Sequence, residues 1–104
     1  MTTVVVVADA DEQLLVIHEW WIINRSSSPT LVIDEFERCV SLLVGSPDIG
    51  TPFRRTSVPG VRRLVMTKTK HFVYYVHDGT NAVVYILAVW GAPKSGSPPL
   101  TNPR

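Results

Sequence analysis

The alternation of apolar and polar residues divides the chain into helical and extended segments. Between Gly60 and Trp90, β-forming residues cluster in three runs separated by two short polar segments, a pattern typical of three strands joined by tight turns. The runs cover residues 61–66, 72–76 and 83–90. Polar or cationic residues alternate with apolar ones in the first two runs, whereas the third is apolar on both parities. The third run is therefore expected to be the best-buried strand.

The first half of the chain predicts one strand and two helices. A β-branched run at residues 2–7 indicates an N-terminal strand. Two apolar stripes at helical spacing follow it. The first stripe consists of Ala10, Leu14, Ile17 and Trp21, and the second of Val32, Phe36, Cys39 and Leu43. Ser28 and Pro29 are a favourable start for the second helix, and Gly45 with Pro47 ends it.

These elements predict an α+β fold. The short link between the helices makes them an antiparallel hairpin. The expected order is an N-terminal strand, the two-helix hairpin and a three-stranded antiparallel meander, with both helices on one face of the sheet and the other face open. The first helix also carries apolar residues outside its stripe, at Leu15, Val16, Ile22 and Ile23. A chain this small cannot enclose such a helix, so we expect these four residues to bind a partner or a second copy of the chain.

The remaining segments indicate connections rather than core. Three prolines between residues 46 and 60 predict an irregular connection. The last residues are rich in Gly, Pro and Ser, with Leu100 as their one bulky apolar residue. We therefore expect one domain at residues 1–93 and a flexible tail at residues 94–104.

Composition narrows the class of protein. A chain of 104 residues with 45% apolar and 18% charged residues fits a single globular domain. The single cysteine, Cys39, allows no internal disulfide and suits a reducing compartment. No apolar run approaches the roughly 18 residues of a membrane span. The expected location is the cytoplasm, with no membrane partner.

The formal net charge of +1 conceals a division between the two halves. Residues 1–48 contain eight acids and two bases, a charge of −6, whereas residues 49–77 contain six bases and no acid. This asymmetry predicts a positive surface on the sheet and an anionic partner for it. The predicted target-binding residues are Arg54, Arg55, Arg62, Lys68 and Lys70.

Candidate chemistry is sparse. The three histidines, His18, His71 and His77, fall on different elements without the spacing of metal ligands, so neither a metal nor a cofactor is expected. Arg62 and Arg63 are consecutive and point to opposite faces of a strand. We expect Arg63 to pair with a helix acid such as Glu19 or Glu35, and Arg62 to face away from the helices.

Three segments resemble the RelE/ParE superfamily of bacterial type II toxins. They are EWWIINR at residues 19–25, PGVRRLVMTKTKHFVYYVHDG at residues 59–79 and VVYILAVWGA at residues 83–92. The resemblance covers roughly residues 4–93. It implies the helical-hairpin-plus-sheet fold predicted above and a cognate antitoxin as partner, for which the exposed side of the first helix is the expected site.

The resemblance leaves the target open. ParE-like members inhibit DNA gyrase without chemistry of their own, whereas RelE-like members cleave messenger RNA on the ribosome. Gly91 and Pro93 stand where the family often has histidine and arginine, which favours gyrase inhibition and a binding function over an enzyme. Two alternatives are a ribosome-dependent endonuclease and a degenerate, weakly toxic member that still binds its antitoxin. The nuclease candidates are Arg62, Arg63, Lys68, Lys70, His71 and Tyr75.

Overall fold

Two helices and five strands make up the part of the chain that the structure describes. A computed structural model describes residues 1–91 and 97–103. In chain order the elements are β1 (Thr3–Val6), α1 (Ala8–Asn24), α2 (Leu31–Gly45), β2 (Thr51–Pro52), β3 (Val61–Met66), β4 (His71–Asp78) and β5 (Val83–Gly91). The predicted helices and the predicted β3-β4-β5 meander are confirmed, and both helices pack on the same face of the sheet.

The sheet is larger than the predicted meander, and it is mixed. Its strand order is β1-β5-β4-β3-β2. β1 pairs parallel with β5, with Thr3 opposite Val83, because the helical hairpin returns the chain across the sheet before the meander begins. β2 adds a two-residue antiparallel edge to β3, within a connection that was predicted to be irregular. Pro52 is tolerated there because an edge strand does not need every N–H.

A β-bulge in β5 changes which face its side chains occupy. Tyr74 pairs with Ala88 and Tyr75 pairs with Ile86, so Leu87 is an additional residue in β5. Leu87 and Ala88 consequently contribute to the same side of the sheet. The prediction that β5 is buried on both faces is confirmed, because Ile86 and Val89 are buried on one side of the sheet and Leu87 and Ala88 on the other.

The helices cover the first face of the sheet. Side chains from α1 and α2 meet those of β3, β4 and β5 in one cluster, whose fully buried members include Val32, Cys39 and Leu43 of α2. Alternate residues of β4, Val73 and Tyr75, belong to the same cluster. The predicted apolar stripe of α2 is therefore the centre of this core.

The second face of the sheet is not open, contrary to the prediction. It carries a cluster in which Phe53 and Val58, from the connection between β2 and β3, cover Tyr74 and Val76 of β4. The rings of Phe53 and Tyr74 meet edge to face, 4.9 Å apart. Leu100 packs against this cluster too, so the described part of the tail contacts the sheet. The predicted flexibility of the tail stays a prediction, and residues 94–96 lie outside the described residues.

Within the described residues, no helix combines the length and apolar character that a membrane crossing requires.

Candidate functional site

The rear of α1 presents large apolar side chains to solvent. Ile23 is 78% exposed and Val16 63%, and Leu15, Ile22 and Trp20 are each close to half exposed. The exposure predicted for Leu15, Val16, Ile22 and Ile23 is thus confirmed, whereas their binding role stays a prediction. An uncovered apolar surface of this kind on a small domain indicates a contact with another molecule.

A trough runs beside α1, between the helix and the end of the sheet formed by β4 and β5. It consists of two adjoining cavities of about 440 and 710 Å³ that share Val16, Ile17, His71 and Gly91. We call these cavities together the α1 trough. At the N-terminal end of α1 its lining includes Asp9, Glu12 and Gln13. At the other end its lining includes Trp20, Trp21, Arg25, Lys68, Thr69 and Lys70.

The α1 trough is therefore acidic at one end and basic at the other, with an apolar middle. Among the residues that the structure describes, Asp9, Glu12, Arg25, Lys68 and Lys70 take part in no ion pair. The guanidinium of Arg25 lies over the ring of Trp20, at 5.4 Å from its centroid, and over that of Trp21, at 5.9 Å. These contacts hold Arg25 at the basic end.

A buried carboxylate positions the turn that carries the two lysines. Oε1 of Glu35 on α2 accepts hydrogen bonds from the backbone N–H groups of Lys68 and Thr69, both at 2.9 Å. Its Oε2 lies 3.7 Å from the guanidinium of Arg38. Glu35 is only 6% exposed, and these contacts balance the cost of burying its charge. The expectation that Arg63 pairs with Glu19 or Glu35 is wrong, because the turn and Arg38 occupy Glu35.

The two consecutive arginines of β3 face the opposite way to the prediction. Arg62 lies on the helix side, where it donates to the carbonyl of Gly50 at 2.7 Å and approaches the carboxylate of Asp48 at 3.9 Å. Arg63 lies on the second face, with its guanidinium 4.1 Å from the centroid of Phe72. The physical reason is the parity of β3: Leu64 and Met66 are in the helix-side core, and Arg62 shares their parity.

Tyr75, one of the nuclease candidates, is enclosed. Its side chain is completely buried, and its hydroxyl oxygen accepts a hydrogen bond of 2.8 Å from the N–H of Gly50. Burial raises the pKa of the Tyr75 hydroxyl above its usual value. Tyr75 and Arg62 together fix Gly50, and a methyl group on Gly50 would lie 2.7 Å from the Tyr75 oxygen. Both side chains therefore hold the connection before β2 in place.

The five cations predicted as one platform form two groups. Arg54 and Arg62 line a cavity of about 370 Å³ at the start of β3, and Arg55 is exposed beside Arg54. Lys68 and Lys70 lie past the end of β3, at the α1 trough. Arg62 is near the start of β3, about 13 Å along the strand from Met66 at its end, and Lys68 lies in the turn beyond Met66. The structure thus places these cations in two groups and not on one platform, and their role in target binding stays a prediction.

The histidines are dispersed. His71 lines both cavities of the α1 trough, His77 contacts the carboxylate of Asp48 at 3.0 Å, and His18 lies on α1. Within residues 1–91 and 97–103, no three His, Cys, Asp or Glu side chains lie close enough together to hold a metal ion. Cys39 is buried, and its burial raises the pKa of the thiol, which makes it a poor nucleophile.

The trough contains residues that the sequence reasoning did not select. Arg25, Trp20 and Thr69 meet there only because the turn between β3 and β4 returns to the C-terminal end of α1. The one signal in the sequence was the position of Arg25, four residues after Trp21 and so about one helical turn beyond it. Gly91 ends β5 and lines the trough, whereas Ala92 and Pro93 lie outside the described residues.

Comparison with known proteins supports the fold through a solved structure. No family model matches the sequence, and no curated protein matches it. A solved structure described as the chromosomal ParDE TA system from P. aeruginosa contains a chain of similar fold, with a TM-score of 0.70 and 18% sequence identity. The alignment covers 88% of this chain and 96% of that chain. The likeness confirms the helical-hairpin-plus-sheet fold that the resemblance in the sequence implied.

Proposed function

We propose that this protein is the toxin of a type II toxin–antitoxin module, ParE-like, and that a cognate antitoxin neutralises it. The observation that carries the proposal is the shared fold, which spans 96% of the chain matched in the ParDE structure. Three sequence segments that resemble the RelE/ParE superfamily support it independently of the fold. A fold alone does not define a function, so the surfaces of this chain supply the remaining argument.

The antitoxin contact is assigned to the rear of α1. Leu15, Val16, Ile22 and Ile23 are exposed on a helix whose opposite side is already buried on the sheet. Each such side chain contributes roughly 1.5–3 kcal/mol when fully buried, so a partner that covers several of them gains a large apolar contribution. An amphipathic antitoxin segment is the partner that this surface fits.

Gyrase inhibition is the favoured mode of action. Arg54 and Arg55 are exposed on the connection between β2 and β3, where they are available to an anionic surface of a target. Arg62 and Tyr75 are engaged with Gly50, which argues against a catalytic role for these two nuclease candidates. The exposed arginines therefore fit a binding function that uses charge better than they fit a catalytic one.

Ribosome-dependent messenger RNA cleavage is the second candidate, and one observation favours it. Lys68, Lys70 and His71 line the same cavity as Trp20, so cations, an imidazole and an aromatic ring share one site. Such groups suit phosphate stabilisation, proton transfer and base stacking. Against it, the acidic end of the trough repels an RNA strand that follows α1.

Expression of the chain alone in bacteria separates the candidates. Gyrase-dependent DNA breaks with intact messages support the first, and cleaved messages support the second. Normal growth without either effect indicates a degenerate member that binds an antitoxin without toxicity.

Matched charge reversals test the target surface. Arg54→Glu with Arg55→Glu is expected to abolish toxicity, because it reverses the solvated cations without touching the Gly50 contacts. Lys68→Glu with Lys70→Glu changes the charge equally at the other group and is the control. Toxicity lost only in the lysine variant contradicts the assignment to Arg54 and Arg55.

Lysines placed on the rear of α1 test the antitoxin site. Leu15→Lys with Ile22→Lys is expected to weaken the toxin–antitoxin complex at least tenfold, because apolar contacts are replaced by charge. Glu37→Lys with Ser41→Lys on the exposed side of α2 serves as the control. Equal antitoxin affinity for both variants, measured by calorimetry, rejects the site.

A further inference from the structure

The charges along the α1 trough are self-complementary, because one end is acidic and the other end is basic. Asp9 and Glu12 lie at its first end, Arg25, Lys68 and Lys70 lie at its second, and Val16, which lines both cavities, lies between them. Along α1, residues 9 and 25 are about 24 Å apart at 1.5 Å per residue. A two-fold axis across the middle of the helix would bring the acidic end of one copy onto the basic end of another.

We propose that two copies of this chain associate through the α1 trough, with their α1 helices antiparallel. Val16 of one copy then faces Val16 of the other, because this residue lines both cavities and lies near the middle of the trough. The acidic end of each copy meets the basic end of the other, so the same contact occurs twice, as an isologous interface requires. This inference goes beyond the proposed function, since it concerns the chain without an antitoxin.

Charge complementarity distinguishes a second copy from other occupants. Within residues 1–91 and 97–103, no ion pair of the chain itself satisfies these five charges. A nucleic acid that follows the trough would place phosphates against Asp9 and Glu12. A uniformly acidic peptide would meet the same repulsion. A second copy supplies both signs in the required order and also covers the exposed side chain of Val16.

The interface overlaps the surface assigned to the antitoxin. Val16 is exposed, lines the trough and is also one of the four residues assigned to the antitoxin, so it cannot contact both partners at once. Self-association would therefore compete with antitoxin binding. The free chain would be dimeric and the neutralised chain would leave the dimer.

Complementary charge reversal tests the proposal on the full-length chain. Asp9→Lys with Glu12→Lys reverses the acidic end, and Lys68→Glu with Lys70→Glu reverses the basic end. Sedimentation velocity over a series of concentrations should show a dimer for the natural sequence and a monomer for each variant alone. An equimolar mixture of the two variants should recover the dimer mass, because each reversed end then meets an end of opposite sign.

The control variant has its charge changes on α2, away from the trough. Asp34→Lys with Glu37→Lys makes the same charge change on α2, with Asp34 in the first turn of α2 as Asp9 is in α1, and should remain dimeric. Circular dichroism verifies the fold of each variant. If a reversed variant does not fold, Val16→Lys replaces it and should remain monomeric. A natural chain that is monomeric throughout, a dimeric reversed variant or Val16→Lys chain, or a mixture that fails to associate overturns the proposal.

Discussion

The two helices pack on the same sheet, yet they use their apolar residues differently. α2 buries Val32, Cys39 and Leu43 completely and exposes Asp34 and Glu37 on its other side. α1 buries only Ala10 and Leu14. Its exposed large apolar residues are Leu15, Val16, Trp20, Ile22 and Ile23. The core of the single chain therefore accounts for nearly every apolar residue of α2. It does not account for the five exposed apolar residues of α1.

The same contrast applies to the acidic residues. Glu35 of α2 is buried and accepts two backbone hydrogen bonds, so its charge has a partner inside the fold. Glu12 of α1 is exposed and lines the trough without an ion pair among the described residues. The side chains of α2 are thus committed to the chain itself, whereas those of α1 are available to another molecule. The proposed antitoxin contact and the proposed self-association both depend on this difference.

The largest expected effect is on stability, at the centre of the α2 stripe. Leu43→Ala should lower the free energy of unfolding by about 3 kcal/mol, because Leu43 is completely buried and its removal leaves a cavity. Chemical denaturation measures the change. Val44→Ala, at a neighbouring position that is 37% exposed, is the control and should cost much less. Similar losses in both variants would show that α2 is not packed as described.

The next effect concerns the buried carboxylate. Glu35→Ala should cost about 2 kcal/mol, because the N–H groups of Lys68 and Thr69 lose their acceptor in a buried setting. The amide of Thr69 should also exchange faster with solvent. Glu12→Ala on α1 is the matched control and should leave stability nearly unchanged. A large loss for Glu12→Ala would erase the contrast between the helices.

A smaller effect appears at alkaline pH. Burial raises the pKa of the Cys39 thiol above its ordinary value of 9.0, with nearby Arg38 acting in the opposite direction. The unfolded thiol ionises near pH 9 while the folded one stays protonated, so stability is constant below that pH and falls above it. The slope is at most about 1.4 kcal/mol per pH unit. In Cys39→Ala the fall should begin nearer pH 10, where the unfolded Tyr75 hydroxyl ionises. An unchanged profile contradicts the assignment to Cys39.

The contrast between the helices also decides what could be predicted from the sequence. The stripe of α2 and the three long strands follow from periodicity, because each repeats the same local pattern over several residues. β2 has two residues, too few for any pattern. The faces of Arg62 and Arg63 were interchanged, although Leu64 and Met66 on the parity of Arg62 were a usable signal. The trough could not be predicted because it joins α1 to the turn after β3, and that contact exists only in the folded chain.

The smallest expected effect is the most informative for α1. Ile23→Gln should change the free energy of unfolding by no more than about 0.5 kcal/mol, because Ile23 is 78% exposed and glutamine is at least as good a helix former. Denaturation at low protein concentration keeps self-association from contributing to the measured value. Val32→Gln, which places the same amide in the core of α2, should by contrast unfold much of the protein. If Ile23→Gln is as destabilising as Val32→Gln, Ile23 supports the fold of the single chain. The exposed apolar residues of α1 then no longer indicate a partner.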